Sequence, residues 1–239
     1  MEHVLLVGEE NRYLRRRGER VELQEGVLDA EDLETSYGET VETHIGEEFT
    51  VVKPDLNDLF DRSLEQRTQT VSHKDAGYIV SRTGIGADSS VAEAGTGSGF
   101  LTLTLARTAG EVHSYEVRDD HLESARRNVE KVGAENVTLE QRDVKEEGFD
   151  GTHDVVFLDM MHPEDAVPEA ADAACPGGYV VCYCPVFEQV RDCVDVFDDA
   201  GLTHVETVET SRREWRPFPA RPEPQTVPHT AFLTFGRKI

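Results

Sequence analysis

Four carboxylates, Glu93, Glu116, Asp143 and Asp159, stand in or just after short apolar or alternating runs, and Glu93 opens the stretch EAGTGSGFL, residues 93–101. Glycines at Gly95, Gly97 and Gly99 remove side chains where a chain leaving a strand must turn tightly. The helix that opens over Ser98, Gly99, Phe100 and Leu101 then aims free N–H groups at whatever occupies the turn. The spacing G-x-G-x-G differs by one residue from the dinucleotide fingerprint. By itself it marks a close-approaching ligand, and glycine turns also occur with none.

The carboxylates narrow the ligand. Glu116 ends the next strand, where an acid can accept hydrogen bonds from both hydroxyls of a ribose. Asp143 follows the third strand and is placed to accept from an adenine amino group. Glu93 suits the ammonium end of an amino-acid moiety. Together these describe S-adenosylmethionine better than NAD, whose pyrophosphate extra carboxylates would repel. A surface position for Asp143 and a helix-capping role for Glu93 are the plain alternatives.

Asp159 sits in LDMMHP, residues 158–163, at the end of a fourth apolar run. A carboxylate there acts on the methyl acceptor rather than on the methyl group. Adenine attacking through N1 needs no base to start, but its ring becomes cationic as the bond forms. An acid accepting from the exocyclic amino group orients the base and gains strength as that charge develops. The alternative is a strand-end acid capping the helix after Pro163.

These residues need a scaffold. Residues 1 to about 60 show short apolar or alternating runs, HVLLV, RVELQ, TVETHI and EFTVV, separated by glycine-containing turns, which predicts a small all-β module. Ser72 and Asp75 then have the spacing of a capping box before a helix over about 73–82, closed by Gly84 and Gly86. From residue 89 strands and helices alternate, which predicts a doubly wound, mostly parallel sheet with ligands at the carboxyl ends of its strands. The proline-rich stretch RPFPARPEPQTVP, residues 216–228, excludes a helix and predicts an extended excursion between the last two strands.

At this point the chain resembles the class I S-adenosylmethionine-dependent methyltransferases, on EAGTGSG, SYE and the acid after the third strand. The resemblance covers residues 67–239 and implies an α/β, Rossmann-like, seven-stranded sheet with an antiparallel last strand. A narrower group is similar in more places: the tRNA adenine-N1 methyltransferases acting in the T-loop, especially their archaeal and bacterial homotetrameric members. The matching pieces are RTQ at 67–69, KDAGYIV at 74–80, EAGTGSGFLTLTLAR, SYE, LDMMHP, PGGYVVCYCP, RREW at 212–215 and HTAFL near the end. The resemblance implies an N-terminal β domain over 1–62 and a methyltransferase domain over 63–239, with adenine 58 of tRNA as target and the adjacent adenine 57 left open. It makes Asp159 the catalytic carboxylate, also counted among the cofactor-lining residues, and sets Tyr183 near methyl transfer. Gln69 and the backbone of Ser98 to Leu101 then contact the cofactor and Glu116 its ribose. His121 is a further cofactor candidate, with an exposed helix-start histidine as the alternative. One departure is that relatives carry an aromatic residue or histidine and then proline before KD, where this chain has Ser72 and His73. His73 is therefore read either as a stacking ring or, more simply, as a first-turn surface residue.

Charge sets further bounds. Against 48 acidic residues stand 24 lysines and arginines, a net charge of −24. Such self-repulsion is tolerable where concentrated counter-ions screen it, which predicts a salt-rich cytoplasm. The balance argues against RNA, yet nine of the arginines fall in two short stretches. NRYLRRRGER holds Arg15, Arg16 and Arg17 beside Tyr13, and SRREWRPFPAR holds Arg212, Arg213 and Trp215. Two readings stand for these clusters: grips on tRNA, or pairing with surplus carboxylates inside or between subunits. No long apolar run suggests a membrane segment, and no N-terminal signal suggests export. Cys175, Cys182, Cys184 and Cys193 lack metal-site spacing and read as core thiols, with no metal expected. Two rival functions stay open: a methyltransferase for a small molecule or a protein carboxylate, and a non-catalytic RNA-binding subunit, which would not need the glycine turn or Asp159.

Overall fold

The computed structural model describes residues 3–222 and 229–239, and the chain forms two compact units, residues 1–65 with 131–133 and residues 66–130 with 134–239.

In the first unit, strands β1 (His3–Val7), β2 (Arg12–Arg16), β3 (Val21–Leu23), β4 (Gly26–Leu28), β5 (Thr40–Glu42) and β6 (Glu48–Val52) are short and antiparallel. Four of them form a sheet in the order β2-β1-β6-β5, and β3 and β4 pair separately. Val4, Leu6, Leu28, Leu33, Phe49 and Val51 fill its core. The basic stretch RYLRR is itself strand β2: Leu14 is buried opposite Leu5 on one face, and Tyr13, opposite Leu6 on the other, packs against the core beside Phe49. The unit is not purely β: helix α1 (Leu56–Arg62) closes it. Asp55 accepts from the Asp58 N–H and Asp58 from the Asp55 N–H, each at 2.9 Å, and Leu56, Leu59 and Phe60 are buried. This reciprocal cap is a sequence-level helix signal that the strand reading passed over.

The second unit begins with α2 (His73–Thr83), which ends at the left-handed Gly84. Ser72 marks its start but is not a capping-box residue; its hydroxyl donates to the Asp75 carboxylate at 2.8 Å rather than accepting from backbone. There follow β7 (Ser90–Ala94), α3 (Phe100–Ala106), β8 (Glu111–Glu116), α4 (Asp119–Val132), β9 (Val137–Gln141), α5 (Val144–Glu147), β10 (His153–Leu158), α6 (Val167–Ala173), β11 (Ala174–Cys184), α7 (Phe187–Phe197), β12 (Leu202–Glu209), the short ladder of β13 (Trp215–Arg216) with β14 (Arg221–Pro222), and β15 (Phe232–Lys238). Seven of these strands make one sheet in the order β12-β15-β11-β10-β7-β8-β9. β15 runs antiparallel to both of its neighbours and every other pairing is parallel. This is the expected seven-stranded Rossmann-like sheet. The expected excursion after β12 is seen as far as β14; its prolines at 224 and 228 lie outside the described residues.

Both faces of the sheet are covered, so its central strands read as continuous apolar runs. Along β10, Val155 and Phe157 pack with Ile79, Leu101 and Leu105, and the alternate Val156 and Leu158 pack with Ala170, Val190 and Phe197. Cys182, Cys184 and Cys193 are buried free thiols on that second face, and Cys175 is half-buried. The strand order reverses at β7, with β10 on one side and β8 on the other. In open α/β sheets the crevice at that point, outside the carboxyl ends of the strands, is where ligands bind.

Candidate active site

At that edge the ends of β7, β8 and β10 close around a cavity of about 380 Å³, within the range of small-molecule sites. The glycine turn is the floor. Gly95 has φ +95°, and a Cβ there would stand 1.8 Å from the carbonyl oxygen of Asp159. The two strand ends are pressed together by hydrogen bonds from Asp159 N–H to the Ala94 carbonyl and from Gly95 N–H to the Tyr115 carbonyl, both 2.9 Å. Gly97 leaves room for Thr68, since a Cβ would meet its hydroxyl at 2.9 Å. Two of the three glycines are thus required by the protein's own packing, before any ligand is considered. The Ser98 hydroxyl accepts from the Arg67 N–H at 2.9 Å, and its carbonyl accepts from Asn128 at 2.8 Å. The RTQ segment is thereby tied to the turn, and Gln69, Phe100 and Leu101 stand in the cavity wall.

Four acids meet in this cavity. Glu116 is almost buried and is gripped by backbone: Oε2 accepts from Gly97 N–H at 2.9 Å and Oε1 from Arg118 N–H at 3.0 Å. His121 stands beside it with Nδ1 3.7 Å from Oε2, in the wall and not on the open surface. Asp143 is half-buried; it accepts from the Lys145 N–H at 3.1 Å, capping α5 while facing the cavity. Glu93 is buried and accepts from the hydroxyls of Thr102 and, at 2.7 Å, Ser114. It caps no helix, since α3 starts on Gly99. Burial pushes its carboxyl up to about 8, against those two hydroxyls and with the charges of Asp159 and Glu116 adding to the rise.

Asp159 differs from the other three. No side chain among the described residues hydrogen-bonds its carboxylate, and the turn after Pro163 is not capped by it. Burial, with Glu116 nearby, pushes it up to about 7. Its carboxylate stands at the mouth of a cavity walled by Met160 and Met161. Just beyond, His162 takes a left-handed conformation with φ 58°, which turns the chain sharply away from the strand.

Tyr183 does not reach the cavity wall. It lies on β11 with its ring 6.3 Å from Phe157 and its hydroxyl buried. Burial pushes that hydroxyl up to about 12, against an interaction with the Thr230 hydroxyl and with the charges of Asp75 and Asp159 adding to the rise. His73 is exposed on the first turn of α2, outside the cavity.

The first arginine cluster is engaged within its own unit. Arg17 donates to the carbonyls of Leu33 and Thr35 and lies over Tyr37, Arg15 lies over Tyr13, and Arg16 pairs with Glu19 at 3.7 Å. Tyr13 is likewise occupied, donating to Glu25 at 2.9 Å. In the second cluster Arg212 pairs with Glu214, Arg213 is exposed, and Trp215 is 60 % exposed on β13. The cavity also includes Thr68, Thr70, Val71 and Arg142, which sequence reasoning missed. RTQ and LDMMHP flagged the right segments, but nothing in sequence marks Arg142, held between Glu140 and Asp150 under the Tyr115 ring.

The donor set fits S-adenosylmethionine. The cavity offers acids and backbone N–H groups, and the Gly97 N–H of the turn is already given to the Glu116 carboxylate, which would repel a dinucleotide's pyrophosphate. Its unpartnered Asp159 and uncompensated Glu93 favour a ligand of positive charge. Among the described residues no group of His, Cys, Asp or Glu is arranged to hold a metal ion, and no helix is long and apolar enough to cross a membrane.

Comparison with known proteins agrees with this geometry. Residues 49–217 match the family described as the tRNA methyltransferase complex GCD14 subunit. The chain is 39 % identical over 217 residues to the tRNA (adenine(58)-N(1))-methyltransferase TrmI of Thermus thermophilus, covering 86 % of this chain and 83 % of that protein. It is 30 % identical over 267 aligned positions to the tRNA (adenine(57)-N(1)/adenine(58)-N(1))-methyltransferase TrmI of Methanocaldococcus jannaschii, covering 98 % and 94 %. Among solved structures, an S-adenosylmethionine-dependent O-methyltransferase from Thermotoga maritima superposes with a TM-score of 0.87 at 30 % identity, covering 100 % of this chain and 93 % of that one. With a family match across most of its length and relatives this similar, the chain belongs to the GCD14 family of tRNA methyltransferases.

Proposed function

We propose that the protein transfers a methyl group from S-adenosylmethionine to N1 of adenine in the T-loop of tRNA, at adenine 58 and, as the archaeal relative's name suggests, at adenine 57. The observation that carries this reading is Asp159, a carboxylate with no side-chain partner among the described residues, at the carboxyl edge of the sheet beside the acid-lined cavity.

Bound S-adenosylmethionine supplies an activated, electrophilic methyl group. Glu116, fixed by two backbone N–H groups, receives the ribose, Asp143 the adenine amino group, and Glu93 the ammonium. Gln69, His121 and the backbone from Gly95 to Leu101 complete the walls. The target adenine enters by leaving its stack, at a cost of about a few kcal/mol. Asp159 accepts a hydrogen bond from its exocyclic amino group and so holds N1 in line with the methyl carbon. The N1 lone pair forms the new bond while the pair of the breaking C–S bond stays on sulfur. The ring gains a positive charge that the Asp159 carboxylate stabilises, so positioning and electrostatics carry the rate. Tyr183 closes the protein side of this centre behind Asp159. Arg212, Arg213 and Trp215 meet the tRNA at the surface, the arginines on phosphates and the indole by stacking. Arg15, Arg16 and Arg17 have the weaker claim, because each already holds a partner in its own unit. A homotetramer working in a salt-rich cytoplasm completes the reading.

The second reading, an enzyme for a small molecule or a protein carboxylate, has one observation behind it, the O-methyltransferase that superposes so well. Incubating purified tRNA with labelled S-adenosylmethionine and mapping N1-methyladenosine by reverse-transcription stops separates the two. Stops in the T-loop support the first reading, and unlabelled tRNA rejects it.

A further inference from the structure

Asp75 is fully buried, yet nothing in the chemistry above uses it. Its Oδ1 accepts from Lys74 at 2.9 Å and Thr210 at 2.6 Å, and its Oδ2 from Ser72 at 2.8 Å, Lys74 at 3.0 Å and Thr230 at 2.6 Å. Lys74 also donates to both threonine hydroxyls, at 3.1 Å to Thr210 and 2.6 Å to Thr230. Each hydroxyl therefore accepts from the lysine and donates to the aspartate. Burial pushes the Asp75 carboxyl up, but the hydrogen bonds from Thr210, Thr230, Lys74 and Ser72 outweigh it and hold the group below its ordinary range.

The placement of the two threonines gives this cluster its meaning. Thr210 is the first residue after β12 and Thr230 lies just before β15. The chain that carries Arg212, Arg213 and Trp215 leaves the sheet at one and rejoins it at the other. Outside the buried pair, His229 Nδ1 lies 2.5 Å from Glu209 and its Nε2 3.0 Å from the Pro185 carbonyl, so the feet are joined twice. Tyr183 and Ala231 share one apolar cluster with Ala76 of α2. A buried ion pair is weak as a source of stability, because desolvation offsets its attraction; what it fixes well is geometry.

We propose that Lys74 and Asp75 are positioning residues, a buried clamp that sets both feet of the Arg212–Trp215 arm and so presents the tRNA substrate to the methyl-transfer pocket. The proposal rests on the tRNA reading above. The test replaces both threonines in the full-length protein, Thr210→Val with Thr230→Val, which cuts the feet loose while Ser72 and Lys74 still hold Asp75. A second protein carries Thr210→Ser with Thr230→Ser, which keeps the hydroxyls. The valine pair is expected to bind S-adenosylmethionine within about twofold of the parent, to lose about tenfold in kcat/KM for tRNA, and to be cut by trypsin at Arg212 and Arg213 several times faster. The serine pair is expected to restore both. Parent-like tryptic cleavage and parent-like kcat/KM for tRNA in the valine pair would overturn the clamp while leaving the enzyme's function intact. Should the valine pair misfold, its loss of cofactor binding shows it, and the single variants Thr210→Val and Thr230→Val take its place: an arm that stays protected and active in both overturns the clamp equally. A parent protein that never methylates tRNA overturns the functional reading itself, and the clamp's role in substrate presentation with it.

Discussion

At the scale of single residues, the site is defined by which acids have partners. Glu116 and Asp143 are held by backbone N–H groups, and Glu93 by two hydroxyls, whereas Asp159 has no side-chain partner among the described residues. A carboxylate left unpartnered at the mouth of a cavity is costly unless a ligand completes it. Replacing Asp159 by Ala is therefore expected to lower kcat for tRNA methylation by about 10²–10³, the usual loss for one preorganised electrostatic group, with S-adenosylmethionine affinity nearly unchanged by calorimetry. Near-normal turnover would remove Asp159 from the chemistry. A second prediction follows from the raised carboxyls of Glu93, about 8, and Asp159, about 7. Both lie above their values of roughly 4 in an unfolded chain, so between about pH 4 and 8 the folded protein binds more protons than the unfolded one. Stability then falls as pH rises through that window and levels off above it. A cationic ligand reverses the preference by favouring the ionised acids. S-adenosylmethionine affinity should accordingly rise between pH 6 and 9, by about tenfold for each unit by which binding lowers the carboxyl. Glu93→Gln should flatten the upper half of that rise; an unchanged slope would show that Glu93 does not face the ligand's charge.

At the scale of elements, the close meeting of β7 and β10 makes the pocket. Gly95 has no room for a side chain, because a Cβ would overlap the Asp159 carbonyl, and its positive φ disfavours one as well. Gly95→Ala is expected to cost at least about 3 kcal/mol of stability and to displace Asp159, so that thermal melting and methyl transfer fail together. A variant melting within 1–2 °C of the parent would show that the strands yield more easily than their hydrogen bonds imply. The order of strands and helices in the second unit is legible in the sequence, because both-face burial writes long apolar runs and the turns carry glycine. Helix α1 and strand β2 are harder to read, for different reasons. Seven residues are too few for a clear 3.6-residue period, so only the Asp55 and Asp58 caps betray the helix, and the charges of RYLRR mask one inward Leu14. In the site, the acids could be found because each stands near the end of a strand or just after it, which a sequence shows. The retreat of Tyr183 from the cavity and the use of Ser72 on Asp75 depend on which way side chains turn in three dimensions. Spacing alone carries no such information.

At the scale of the whole molecule, a net charge of −24 sets how the protein must meet a polyanion. Long-range repulsion between the two acts over about 10 Å in 0.1 M salt and about 3 Å in 1 M. The same screening relieves repulsion within the folded chain, so the melting temperature is expected to climb by at least about 5 °C between 0.1 and 2 M KCl, equivalent to ~2 kcal/mol for a chain of this size. For tRNA two effects of salt oppose each other. Contacts between arginines and phosphates release counter-ions and weaken steadily as salt rises. Repulsion from the acidic surface weakens too, and it falls fastest at low salt, where it reaches furthest. The sum is a binding curve with a maximum: tRNA affinity should rise from 0.05 M KCl to an optimum at several tenths molar or above, and fall beyond it. A basic tRNA-binding protein shows only the falling limb. Titrating fluorescently labelled tRNA across 0.05–2 M KCl distinguishes the two shapes. A steady decline from the lowest salt would mean that the exposed Arg212, Arg213 and Trp215 arm, rather than the acidic surface as a whole, governs the encounter.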